Sequence, residues 1–177
     1  MFRAFSSKTG RTALAGILAA GSLAILWLAC ITPSGRLGLT AAAGLFPVAG
    51  VLAAGRTVGY FCWAAAALLG LLILPDKGVA LLYLVFFGLY PVVKSRIEAI
   101  RRRPLEWICK LAYFNAALTL FWFVLRAMFL PHPPTWLEEN VWLLYIGANI
   151  VFILYDIGLS RLIGPLFQRI GRFGRHR

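Results

Sequence analysis

The chain has 177 residues, 61% hydrophobic and 14% charged, with a mean hydropathy of +0.82 and a formal net charge of +12. A soluble domain of this size has too little interior to hide so much apolar surface, so an aqueous fold is excluded. The cations sit in short groups between apolar runs, which argues against a nucleic-acid partner and for the charge asymmetry of membrane loops.

Six runs, 12–31, 37–54, 57–74, 78–93, 107–130 and 141–159, are near the ~20 residues that cross a bilayer core of ~30 Å. They predict an all-α integral membrane protein: one transmembrane domain over 1–177, a bundle of six transmembrane helices, then a basic amphipathic tail over 160–177. With both termini cytoplasmic the loops alternate cleanly. Arg3, Lys8, Arg11, Arg56, Lys94, Arg96, Arg101, Arg102, Arg103, Lys110, Arg161, Arg169, Arg172, Arg175 and Arg177 fall inside. Arg36 and Lys77 fall outside, and Arg126 lies within the membrane. This positive-inside pattern places the chain in the cytoplasmic (inner) cell membrane as a multi-pass protein and accounts for the charge. The basic loop and tail would also attract anionic headgroups.

The first run follows a basic start and ends in WLAC, but its length exceeds a signal-peptide core and more spans follow, so it reads as an uncleaved helix. Ala13, Gly16, Ala20 and Ala24 recur along it at helical spacing. Small residues so placed admit a second helix at close range, from this chain or from a partner. Residues 37–74 read as two spans turning at Arg56 between Gly55 and Gly59, with Pro47 kinking the first; a re-entrant hairpin would leave the other loops on the same sides. Pro75-Asp76-Lys77-Gly78 starts the next helix, which continues past the membrane through Lys94 and Glu98, an exposed i, i+4 pair, until Arg101-Arg102-Arg103-Pro104 ends it.

In the fifth run, NAALTLFWFVLR places Asn115, Thr119, Trp122 and Arg126 at i, i+4, i+7 and i+11, one face of a helix. Tyr145, Asn149 and Asp156 share a face of the sixth. A polar group at membrane depth normally faces a partner, a cavity or water. Two arrangements fit: the stripes line an outward pocket, or they hydrogen-bond to each other. Arg126 could also snorkel to the outer headgroups. In a pocket, Arg126 suits a carboxylate or phosphate, and Trp122, Trp142 and Tyr145 suit a ring. Asp156 and Asp76 show no obvious carboxylate pairing. The loop PHPPTWLEEN is stiffened by prolines, and Trp136 and Trp142 fit the interfacial belt.

No catalytic constellation is present: no phosphate loop, no HExxH, no serine or cysteine with a plausible base. Cys30, Cys62 and Cys109 form no CxxC pair, and His132 and His176 are far apart, so neither a metal nor another cofactor is expected. The chain reads as a non-enzyme.

Six spans in so short a chain, small residues along the first and polar positions gathered in the last two resemble the substrate-binding S components of energy-coupling factor (ECF) vitamin transporters. More narrowly, LPDKGVALLYLVFFGLYPVVKSRIE followed by LEWICKLAYFN resembles a group of small membrane proteins typical of clostridial genomes. The S-component resemblance implies a first helix that docks a transmembrane coupling subunit, a role Gly16, Ala20 and Ala24, or Ala15 and Ala19, would take. It also implies a ligand held in the outer half of the bundle, by Asn115, Thr119, Trp122, Arg126, Trp142, Tyr145 and Asn149, with separate ATPases supplying the energy. The expectation is a small-solute, vitamin-like importer subunit. The alternative is a non-transporting scaffold in envelope assembly or sporulation. A channel or ion-coupled carrier is disfavoured by the few charges at depth.

Overall fold

The computed structural model describes residues 7–32, 34–100, 102–125 and 140–174. Every regular element among them is helical. Helices α1 (Lys8–Ile31), α2 (Arg36–Ala43), α3 (Leu45–Ala54), α4 (Arg56–Ile73), α5 (Lys77–Leu82) and α6 (Tyr90–Ile97) are followed by α7 (Arg103–Leu120) and α8 (Val141–Gly174). π-helical turns at Tyr83–Phe87 and Phe121–Leu125 continue α5 and α7, and Glu98–Ile100 is 3-10. Five rods are long and apolar enough to cross a membrane: Lys8–Ile31, Arg36–Ala54, Arg56–Ile73, Lys77–Ile100 and Val141–Leu162. The sixth expected span, 107–130, falls on α7, where Arg103, Glu106 and Lys110 dilute the apolar character, and it ends beyond the described residues. Past 159 the tail continues α8 as one helix to Gly174.

The chain forms two compact units, Met1–Ala99 and Ile100–Arg177. In the first, α1 packs on α2, α3 and α4 around a core of Ala19, Leu26, Ala29, Ala43, Cys62, Ala66, Leu74, Val79 and Tyr83. Small side chains dominate because they let apolar helices approach closely. The α3–α4 connection is a tight turn, not a long loop: Gly55 has φ +95°, a conformation that side chains with a Cβ rarely adopt. Residues 37–74 therefore form two rods, α2 with α3 and α4 alone, each long enough to cross a membrane.

Two prolines shape the centre of this unit. A proline nitrogen cannot bond the carbonyl four residues back, so Pro47 releases the Ala43 oxygen and Pro91 releases that of Phe87. Both find new surroundings. Ser22 Oγ donates to Ala43 O at 3.1 Å, and Tyr83 Oη donates to Ser22 Oγ at 3.2 Å. The Phe87 oxygen stands where a Cβ at residue 44 would have to be, so only Gly44 fits. The rod breaks at Gly44, a turn before the proline that causes it. In the π turn, Gly88 N–H bonds Tyr83 O, and Trp63 Nε1 donates to Leu84 O at 3.0 Å. Irregular backbone inside an apolar bundle survives only when its polar groups are met in this way.

The two ends of α4 differ. At its C-terminus Lys77 Nζ caps the carbonyls of Leu72 and Leu74, at 3.3 and 2.9 Å, and Arg36 pairs with Asp76 at 2.8 Å. Asp76 also accepts from the amides of Gly78 and Val79, starting α5. At its N-terminus Arg56 donates to Ser95 O at 3.0 Å, and Arg96 lies over the Tyr60 ring at 4.9 Å. Lys94 departs from expectation: it is buried, 1% exposed, and pairs at 3.5 Å with Glu98, whose side chain is exposed.

Candidate functional site

The polar stripes of the second unit meet each other. α7 and α8 pack together, and their polar side chains pair rung by rung in antiparallel register. Lys110 pairs with Asp156, Phe114 with Phe152, Asn115 with Asn149, and Thr119 with Tyr145. The ladder covers about 14 Å of helix at the standard rise per residue.

Its centre is a reciprocal amide pair. Asn115 Nδ2 donates to Asn149 Oδ1, and Asn149 Nδ2 to Asn115 Oδ1, both at 3.1 Å. Each Nδ2 also donates at 2.8 Å to a carbonyl one turn back, Leu111 O and Tyr145 O respectively. An amide nitrogen has two donors, so all four N–H groups of the pair are in use. One rung further on, Thr119 Oγ1 donates to Asn115 O at 2.7 Å. Its single proton is thereby committed, so the 2.8 Å contact with Tyr145 is donated by the phenol. The Tyr145 oxygen keeps acceptor capacity.

The opposite end carries formal charge. Lys110 Nζ lies 2.9 Å from Asp156 Oδ2, with side-chain exposures of 7% and 3%. The ammonium also sits 5.5 Å from the centroid of the Trp107 ring. The Phe114 and Phe152 rings stack at 4.4 Å, separating this pair from the amides. An isolated ion in such surroundings would be very costly, whereas a paired one at hydrogen-bond distance is tolerated.

This pair corrects one expectation: Lys110, grouped with the loop cations, is a buried residue inside α7, where it pairs with Asp156. The signal was present in the sequence. Pairing Asn115 with Asn149 on antiparallel helices brings Lys110 and Asp156 close to one level. Reading only carboxylates against carboxylates missed it.

Of the expected ligand-contacting residues, Asn115, Thr119, Tyr145 and Asn149 come together, bonded to one another. Trp122 is buried, at 4% exposure, whereas Trp142 is 60% exposed. Arg126 lies outside the described residues. On α1 the two alternative small-residue faces separate. Ala15 and Ala19 are buried with Ser22, Leu26 and Ala29, whereas Gly16, Ala20 and Ala24 are exposed, and a Cβ at Gly16 would meet nothing. Among the described residues no three His, Cys, Asp or Glu side chains gather as metal ligands would.

Comparison with protein-family models, curated proteins and solved structures finds no match to this chain.

Proposed function

We propose that the chain is a multi-pass protein of the cytoplasmic membrane, with both termini inside, acting as the solute-binding subunit of an ATP-driven small-solute importer. It docks a transmembrane coupling subunit through the Gly16–Ala20–Ala24 face of α1, and separate ATPases supply the energy. The observation that supports this reading is the division of α1: one small-residue face is packed while the other is exposed. Within lipid, such a face gains more from a close-fitting helix than from acyl chains. The amide pair is saturated, so a ligand engages the ladder at its Thr119–Tyr145 end, where the phenolic oxygen can still accept and Trp142 is exposed.

A specific observation favours a second reading. The polar groups of α7 and α8 satisfy one another, as they would in a non-transporting scaffold whose ladder only holds two helices in register. Purifying the tagged full chain from its native cells in mild detergent, with protein and small-molecule mass spectrometry, separates the two. Co-purifying ATPases, a coupling subunit or a stoichiometric metabolite support the importer. Envelope-assembly proteins without a metabolite replace it with the scaffold.

A further inference from the structure

The two ends of the first unit handle their cations differently. At the Arg36 end each has an internal partner: Arg36 pairs with Asp76, and Lys77 caps the last carbonyls of α4. At the opposite end, about 27 Å away along α4 by helical rise, Arg56 and Arg96 are exposed. Neither is ion-paired with a carboxylate among the described residues. The acidic residue of that stretch, Glu98, pairs with Lys94.

These guanidinium groups are nonetheless held in place. Arg56, in the first turn of α4, donates through Nη2 to Ser95 O, and among the described residues the rest of its fork has no other acceptor. Arg96, the next residue along α6, places its guanidinium carbon 4.9 Å from the Tyr60 ring centroid. Tyr60 in turn is one helical turn on from Arg56. The two arginines and their supports thus form a closed set joining the start of α4 to the end of α6. Planar forks fixed in this way match the oxygens of a phosphodiester, and ordering them in advance lowers the entropy cost of binding.

We propose that Arg56 and Arg96 form a headgroup site for an anionic phospholipid, with Tyr60 and Ser95 as positioning residues. The proposal rests on the proposed reading that this chain spans the cytoplasmic membrane with both termini inside, which would put the start of α4 and the end of α6 at the cytoplasmic interface. There the anionic leaflet supplies the ligand at high local concentration. At the opposite end Arg36 and Lys77 already have internal partners among the described residues.

The test is native mass spectrometry of the full-length protein in a neutral detergent, titrated with phosphatidylglycerol or with phosphatidylcholine. Wild type should bind phosphatidylglycerol preferentially. Arg96→Gln, which leaves the Arg56–Ser95 bond untouched, should weaken it roughly tenfold, as expected for one charge-assisted contact. Arg56→Gln with Arg96→Gln should weaken it further, Arg96→Lys should recover part of the loss, and Lys77→Gln should bind as wild type does. Equal affinity for the two lipids would overturn the site, as would unchanged phosphatidylglycerol binding in Arg96→Gln and the double variant. Displacement of the bound lipid by millimolar inorganic phosphate would mean a soluble anion is the ligand, and would overturn it too. Failure of the membrane reading looks different: the chain would leave the membrane fraction without detergent.

Discussion

The two units hold apolar helices together by different means. In the first, α1 to α6 meet through alanine, glycine and rings, and the polar bonds inside it chiefly occupy carbonyls that prolines or a π turn have released. In the second, α7 and α8 meet through an ion pair, an amide pair and a hydroxyl pair, with one stacked ring pair among them. Close packing of small residues tolerates sliding until a particular contact forbids it. Polar rungs forbid it at once, because a shift of one residue leaves several donors facing hydrocarbon. The polar pair is thus specified in register, while the small-residue unit needs fixed points such as Gly44 and Ser22.

This contrast can be broken most sharply at the ion pair. Lys110→Ala or Asp156→Ala alone removes one member of a buried pair and should cost about 3 kcal/mol or more. Lys110→Met combined with Asp156→Leu should stay near wild type. Reversible unfolding in bicelles measures both, and a double variant as unstable as the singles would show that the charges do more than balance each other. Next comes the fixed point of the other unit. Gly44→Ala sets a Cβ against the Phe87 carbonyl oxygen, and such overpacking should cost about 2 kcal/mol. Thermal unfolding in detergent reads this, and an unaffected variant would mean that the α2–α3 break and the π turn after α5 can separate freely.

A smaller effect belongs to the amides. A double-mutant cycle with Asn115→Leu and Asn149→Leu should give a coupling of about 1 kcal/mol, the scale of interhelical hydrogen bonds in membranes. A coupling of zero would remove the ladder as the origin of register. The smallest effect on the chain itself is expected for Gly16→Leu: no measurable change in unfolding, since nothing lies near that position, but loss of any co-purifying membrane partner. Retention of the partner would release the exposed face of α1 from the docking role.

Much of the helical layout was legible from composition and period. The starts at Arg36, Arg56 and Lys77 lie within a residue of the expected ones, because glycine turns and an aspartate cap mark them locally. Lys94 and Lys110 were not legible as buried, since a basic residue near a helix end looks the same in sequence whether it is solvated or enclosed. The candidate site was half legible. Helical spacing put Asn115 with Thr119 and Tyr145 with Asn149, but spacing along one helix cannot tell a stripe facing a pocket from one facing its twin.

What the sequence by itself determined is local: which residues are helical, where turns and prolines interrupt them, and which side chains share a face. These follow from backbone sterics, missing proline donors and the helical period. Only the tertiary structure decided which face of α1 is packed, where the released carbonyls of Ala43 and Phe87 go, and that Lys110 meets Asp156. Each of these depends on the register between two helices. That register is set by the sum of many pairings across the contact, and no single helix carries it.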